Sequence, residues 1–315
     1  MAFFTVIVPL YNKENYVAQT LESILAQTFT DFEVVVVDDC SKDSSLAIAK
    51  KFESDKIRIV SHDTNKGLSA SRNTGIRNAK SDFVTFLDAD DVWKPFFLEK
   101  MHAMIGLFPD AGIFGAGYEE YYPGNLALEV RKNLKGFAAG EMKIVPDFFT
   151  ASSNQPIYCY STVVFKKEVF ETAGYFDEGI SLGEDIDFNI RVHLKYDLAY
   201  YNRACAHYVI FSENQITNSG IGKNTITDFN KYEPFTTEKP SLKLYMDVNR
   251  YMLAMHYKMA GNNSKCDELV SAIDKQNLTP SQKFLLKSPV MIVKLVKKTK
   301  ALFLKKGIRL TTFKG

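Results

Sequence analysis

The chain has 315 residues, 46% apolar and 24% charged, with a formal net charge of +2. These proportions are those of an ordinary soluble globular protein, and no segment reaches the roughly 18 consecutive apolar residues of a membrane-spanning helix. Cys40, Cys159, Cys205 and Cys266 are scattered with no C-x-x-C pair, which reads as free thiols in a reducing cytosol and argues against structural zinc.

The N-terminus, Met1-Ala2-Phe3-Phe4-Thr5-Val6-Ile7-Val8-Pro9, lacks a basic leader and a small-residue cleavage site, so 3–10 reads as a first strand. Tyr11-Asn12 stops it. Over 13–27, Tyr16, Val17, Thr20, Leu21, Ile24 and Leu25 recur at helical spacing. The apolar run 32–37 is a strand ending in Asp38-Asp39, followed by a helix near 44–52, a strand over 57–60, a helix over 68–79 and a strand over 83–87. Apolar strands joined by helices of about a dozen residues imply a parallel sheet with right-handed crossovers. Ligands gather at the carboxyl ends of such strands, and the polar clusters here fall there. Beyond residue 104 the pattern weakens to strands over 113–116 and 162–165, then a polar turn and a helix opening at Glu184. Past Ser241 only helices are expected, broken near Gly261, Thr279-Pro280 and Pro289.

The fourth strand ends in Asp88-Ala89-Asp90-Asp91. Three carboxylates this close repel one another unless a cation or a donor-rich ligand is present. Their hard oxygens suit Mg²⁺ or Mn²⁺ carrying substrate phosphates. Asp38-Asp39-Cys40-Ser41-Lys42-Asp43 follows a strand at the same edge, where a carboxylate can accept from a base N–H or a ribose hydroxyl; Ser41 or Asp43 also suits a helix N-cap. Arg72, in the first turns of its helix, is placed to reach a phosphate or nucleobase. Glu184, Asp185 and Asp187 open a helix, where the dipole favours acids and where a carboxylate aimed into a pocket is also a good general base.

Pro9-Leu10-Tyr11-Asn12, Val37-Asp38-Asp39-Cys40-Ser41, the run 65–75 with Arg72, Leu87-Asp88-Ala89-Asp90-Asp91 with Trp93, and Gly183-Glu184-Asp185 occur in that order. Together they resemble the signature set of inverting family 2 glycosyltransferases with the GT-A fold, of the bacterial surface-polysaccharide type, over about residues 3–215. The resemblance implies an α/β fold with a GT-A-type mixed sheet flanked by helices: a catalytic domain over 1–220 and a helical C-terminal extension over 221–315. It implies transfer of a hexosyl or N-acetylhexosaminyl group from a UDP-sugar donor to a glycan or lipid-linked acceptor, assisted by Mn²⁺ or Mg²⁺. Pro9, Tyr11, Asn12, Asp38 and Asp39 would cradle the nucleoside, Arg72 would help hold the nucleotide, and Asp88 would contact the ribose side. Asp90 would ligate the metal, with Asp88 and His207 as further candidates. Asp185 would be the general base, supported by Glu184. The chain departs from the pattern after its last strand, where His207 is offset and an expected Arg is absent.

Two other readings compete. A sugar-1-phosphate nucleotidyltransferase expects a Gly-rich, Arg/Lys-bearing loop after the first strand, where this chain has Pro-Leu-Tyr-Asn. A non-catalytic module that binds a nucleotide-sugar would not need the Glu184-Asp185 pair. The tail, residues 281–315, carries +10 with no acid and leaves −8 for the rest. Around 289–306 it reads as an amphipathic helix, with Lys294, Lys297, Lys298 and Lys305 opposite Ile292, Leu295, Val296, Leu302 and Phe303. That pattern suits an anionic membrane surface, hence a cytoplasmic protein held peripherally at the inner face of the membrane. Packing of the apolar face on the catalytic domain is the alternative, and nucleic acid is not an expected partner because no base-reading motif is present.

Overall fold

A computed structural model of the chain describes residues 1–213, 224–304 and 307–312. β1 (Phe4–Leu10), α1 (Val17–Leu25), β2 (Phe32–Asp38), α2 (Ser45–Lys50), β3 (Ile57–Ser61), α3 (Leu68–Asn78) and β4 (Phe83–Phe86) alternate as the apolar runs suggest. β1 lies between β2 and β4, with β3 outside β2, all parallel. Every residue of β1 is buried, as expected of a strand covered on both faces. α1 is shorter than its spacing suggests. Residues 13–16 turn before it, with the Tyr16 and Val17 amides on the Lys13 carbonyl, and Leu25 is exposed.

β5 (Val92–Trp93), α4 (Phe97–Leu107), β6 (Ile113–Tyr122), β7 (Leu126–Glu129), β8 (Met142–Ile144), α5 (Phe148–Ala151), β9 (Val163–Lys166), α6 (Glu168–Ala173), α7 (Glu184–His193) and β10 (Leu198–Val209) follow. The strand order is β3-β2-β1-β4-β9-β6-β10-β5, with β7 on β6 and β8 on β10. β9 runs antiparallel to both β4 and β6, so the sheet is mixed and its uniform parallel part ends at β4. An antiparallel neighbour needs no helical crossover, and β9 is entered through a short 3-10 turn, Tyr160–Thr162, at the carboxyl end of β4. That reversal sets Ser161 against the aspartates that follow β4.

The sheet separates two apolar clusters. Phe4, Val6, Val8 and Leu10 of β1 meet α1 and α4 on one face. Ile7, Phe86 and Phe165 meet Phe170, Phe176 and Phe188 on the other. Four α-helices follow among the described residues: α8 (Pro240–Met259), α9 (Asn263–Ser271), α10 (Pro280–Lys287) and α11 (Val290–Leu304). Their breaks fall at Gly261, Thr279-Pro280 and Pro289, as read from the sequence. Thr279 and Gln282 form a capping box with Pro280 in the first turn of α10. Leu242, Tyr245, Met246, Leu253 and Ala254 of α8 belong to the same cluster as Phe188. The expected domain boundary at 220/221 lies outside the described residues.

The start of α7 is fixed by Asp187, which is fully buried and accepts from Arg191 Nε (2.9 Å), Lys231 Nζ (2.5 Å) and Tyr232 Oη (2.7 Å). Burial raises its pKa, but hydrogen bonds from Lys231, Tyr232 and Arg191 outweigh burial and hold the carboxyl below its ordinary value. A depressed carboxylate stabilises the fold above the unfolded-state pKa, and that contribution fades as pH falls through the native value. Asp187→Asn is therefore expected to cost about 2 kcal/mol at neutral pH, the scale of a hydrogen bond to a charged group. In urea titrations the gap to the parent chain should narrow on acidification; a gap independent of pH would contradict this account.

Candidate functional site

The loops after β1 and β2 are tied to each other at the carboxyl edge of the sheet. Asn12, in the left-handed region at φ 50°, donates its amide to Ser41 Oγ (3.2 Å) and accepts the Lys42 amide at Oδ1 (2.8 Å). Pro9 lies within β1 opposite Val37, while Tyr11 stands exposed just beyond it. Asp38 is buried and its Oδ1 accepts the Ser41 amide (3.4 Å). Asp39, also buried, accepts the amides of Lys66 (2.8 Å) and Gly67 (2.8 Å) and faces His62 Nδ1 (2.7 Å). His62 Nε2 lies 2.9 Å from Thr74 Oγ1. With Asp39 accepting, the Nδ1–H tautomer is assigned, and Nε2 receives the Thr74 proton. His62 is absent from the sequence reading, since a single His ending a strand carries no motif.

Arg72 is at the centre of the site. Its guanidinium is buried, with Nη1 3.0 Å from Glu184 Oε1 and Nη2 3.3 Å from Asp88 Oδ1. The ring of Tyr160 lies 4.5 Å from its Cζ and that of Phe176 5.3 Å. Burial works against its charge, but Asp88 and Glu184 prevail and hold the pKa above its usual value. The sequence reading gave Arg72 to the nucleotide; here its two terminal nitrogens face carboxylates, and buried Nε has no hydrogen-bond partner. Asn73 locks the approach to α7, donating to the Phe176 carbonyl (2.9 Å) and accepting the Phe176 amide (3.0 Å). Gly75 permits α3 to lie close on β1, because a Cβ there would sit 2.3 Å from Ile7 Cγ2.

Glu184 and Asp185 open α7 after Gly183, which is left-handed at φ 80°. Glu184 is buried against Arg72, whereas Asp185 is only partly buried and its Oδ1 accepts the Ile186 amide (2.9 Å). Burial pushes both carboxyls up; Asp185 adds to this for Glu184, and Arg72 opposes it at both.

The three aspartates after β4 have separate partners. Asp88 donates its amide to Ser161 Oγ (3.2 Å) and turns its carboxylate to Arg72. Asp90, buried, receives Lys13 Nζ at 2.7 Å and the Ser212 hydroxyl. Asp91 is fully buried and accepts from Ser161 Oγ (2.5 Å) and the Val209 amide (2.9 Å), so it joins the segment after β4 to the turn before β9 and to β10. Burial, then Asp90 and Asp88, raise its pKa well above the usual range. Lys13, Ser161 and Ser212 are missed by sequence reasoning. Each lies far along the chain from its partner, and only the topology brings them together.

His207 pairs with Val92 across β10 and β5, and its Nε2 is 3.2 Å from Glu119 with the ring stacked on Tyr121 at 4.9 Å. Among the described residues no three His, Cys, Asp or Glu side chains are grouped to hold a metal ion on their own. Asp88 and Asp90 offer carboxylate oxygens of the kind a hard divalent cation takes, each here paired with a basic side chain. Mg²⁺ is commonly held by one or two carboxylates, with substrate phosphates and water completing its shell.

Comparison with known proteins gives the family. The family described as glycosyl transferase family 2 matches residues 5–174. The glycosyltransferase GlyA of Streptococcus pneumoniae is 45% identical over 102 residues, 32% of this chain and 15% of that protein. An uncharacterized glycosyltransferase of Haemophilus influenzae is 30% identical over 191 residues, 60% of this chain and 61% of that one. The poly(ribitol-phosphate) beta-N-acetylglucosaminyltransferase TarS of Staphylococcus aureus is 30% identical over 215 residues, 64% of this chain and 35% of TarS. The chain thus spans less than two thirds of the length of each. The crystal structure of S. aureus TarS 1-349 in complex with UDP-GlcNAc superposes with a TM-score of 0.56 at 18% identity, covering 86% of this chain and 91% of that one, a likeness of fold. With the family match extending over more than half of its residues, the chain belongs to glycosyl transferase family 2 and carries a GT-A-type mixed sheet.

Proposed function

We propose that the chain is an inverting glycosyltransferase that moves a sugar, hexosyl or N-acetylhexosaminyl, from a UDP-sugar to a hydroxyl of a glycan or lipid-linked acceptor. The observation that carries this reading is the buried guanidinium of Arg72, which joins Asp88 at the end of β4 to Glu184 beside Asp185 at the start of α7. Family membership supports transfer chemistry, and the fold likeness to a TarS complex with UDP-GlcNAc supports a UDP-sugar donor.

In this reading Pro9, Tyr11, Asn12, Asp38 and Asp39 hold the nucleoside. A carboxylate has about four lone-pair sites; Lys66, Gly67 and His62 occupy three at Asp39, leaving one for a base N–H. Asp88 serves the ribose side. Asp90, with Asp88, holds Mg²⁺ or Mn²⁺, which when bound neutralises charge on the departing diphosphate. For His207 to join them, its ring must leave Glu119; burial lowers its pKa and so favours the neutral, ligating form. Asp185 takes the proton of the acceptor hydroxyl as that oxygen bonds to the anomeric carbon. The bond from that carbon to the diphosphate breaks, UDP leaves with the electron pair, and the centre inverts. Arg72 keeps Glu184 as its counter-ion, which leaves Asp185 as the available base.

The tail supports attachment to an anionic membrane surface at its cytoplasmic face. Val293 and Val296 of α11 pack on Tyr251, Met255 and Leu285. Met291, Leu295 and Leu302 are exposed, at 80%, 63% and 56%, on a helix that also exposes Lys294 and Lys298. The expected apolar face therefore divides, with Val296 turned inward and Leu295 outward; Lys305 lies outside the described residues. An apolar ridge beside lysines fits the interface of an anionic leaflet.

Asp185→Asn should lower UDP release roughly 10²–10⁴-fold, the usual share of a general base, while UDP still binds; Asp90→Ala should abolish metal-dependent release. Binding without release for the parent chain across a screen of UDP- and GDP-sugars would favour a non-catalytic module instead. Because Asp185 must be ionised and its pKa is raised by burial, kcat/KM should fall on acidification with its midpoint above the usual carboxylate range, and that limb should vanish in Asp185→Asn. Leu295→Glu with Leu302→Glu should abolish co-sedimentation with phosphatidylserine vesicles and leave UDP binding unchanged; retained co-sedimentation would refute the membrane assignment.

A further inference from the structure

Lys13 has no place in the chemistry above, yet it is held at the middle of the site. It follows the Pro9-Leu10-Tyr11-Asn12 end of β1, and its side chain is only 11% exposed. Its ammonium donates to Asp90 Oδ2 (2.7 Å), to Ser212 Oγ (3.1 Å) and to the Glu213 carbonyl (2.7 Å), and it lies 5.8 Å from the centre of the Tyr16 ring. All three donor positions of the ammonium are filled, each with good length. Asn15 Nδ2 reinforces the contact by donating to Glu213 Oε2 (2.9 Å). One cation thus neutralises Asp90 and ties the segment after β10 to the entrance of α1.

We propose that Lys13 is an internal counter-ion which a divalent metal displaces from Asp90, and which then pairs with the donor diphosphate. This rests on the reading of Asp90 as a metal ligand. Two cations cannot share one buried carboxylate oxygen without repulsion, so the ammonium must leave Oδ2 when a metal ion binds it. A nucleoside diphosphate brings new negative charge to the same place. The lysine stem is flexible and its head is a compact point charge suited to phosphate, so a short swing exchanges one anion for another. Without donor Asp90 stays paired with Lys13, whose ammonium also holds Ser212 and the Glu213 carbonyl. With metal and donor together, charge balance is kept and that contact is released.

The test measures Mn²⁺ alone, by electron paramagnetic resonance of the free ion, on the full chain without nucleotide. Lys13→Met, which keeps the stem and removes the charge, should bind Mn²⁺ roughly tenfold tighter, the scale of a lost hydrogen bond to a charged group. Lys13→Arg should stay near the parent value, and an unaltered melting curve shows that each variant is folded. With saturating Mn²⁺, Lys13→Met should bind UDP several-fold more weakly by calorimetry. If Asp90→Asn loses Mn²⁺ but Lys13→Met gains nothing, the counter-ion role is overturned while the metal site stands. If Asp90→Asn binds Mn²⁺ like the parent, both are overturned. Unchanged UDP affinity overturns the transfer to the diphosphate.

Discussion

The arrangement of the site depends on one buried positive charge. Asp88 and Glu184 come from different elements, 96 positions apart in the chain, and each would resist desolvation in its ionised form. Arg72 compensates both at once, because its planar fork presents separate nitrogens to separate carboxylates. A lysine in its place would offer a single point of charge. The aromatic faces of Tyr160, Phe176 and Phe86 around the guanidinium take up its apolar surface and its quadrupolar attraction. The helix that carries it must lie close to β1, and Gly75, three positions on, removes the Cβ that would strike Ile7. Packing and charge compensation are therefore one constraint at α3.

The site's acids fall into two groups according to what neutralises them. Asp39 is satisfied by two backbone amides and a histidine, and Asp91 by a serine hydroxyl and a backbone amide. Asp187 is held by Arg191, Lys231 and Tyr232. These carboxylates fix loops, because their partners cannot move without breaking backbone geometry or a buried pair. Asp88 is balanced by the Arg72 fork, which also holds Glu184, and Asp90 by Lys13. The lysine stem is flexible, so of these acids Asp90 is the one whose counter-ion an incoming cation can replace.

The N-terminal half was legible because its strands are buried on both faces and read as unbroken apolar runs. The carboxyl-end position of Asp38-Asp39 and Asp88-Asp90 followed from the same runs, since charge cannot enter a covered strand. The helical tail was equally plain, its ends being marked by Gly261, Pro280 and Pro289. β9 was found as a strand but not as an antiparallel one, because the short run Val163, Val164 and Phe165 carries no sign of direction. Its direction follows from an entry turn whose place beside Asp88 and Asp91 only the fold reveals. Arg72 was identified as a site residue, but its contacts to Glu184 and Asp88 were not foreseen: helical spacing predicts reach, not the partner 112 positions away. Lys13 was read as the start of a helix for the same reason, since Asp90 and Ser212 meet it only through the sheet order.

The helical extension bears on the site through the core. Tyr245 and Met246 of α8 share one apolar cluster with Phe188 of α7 and with Phe148 and Phe149. α7 is also the helix whose first turn presents Glu184 and Asp185. α11 packs in turn on Tyr251 and Met255, further along α8. A close-packed interior does not deform freely, so the orientation of the exposed ridge on α11 is set by the same helix that backs the acidic turn. Only the inward face of α11 contributes to that connection. The outward residues, Met291, Leu295 and Leu302, are largely exposed and take no part in it among the described residues.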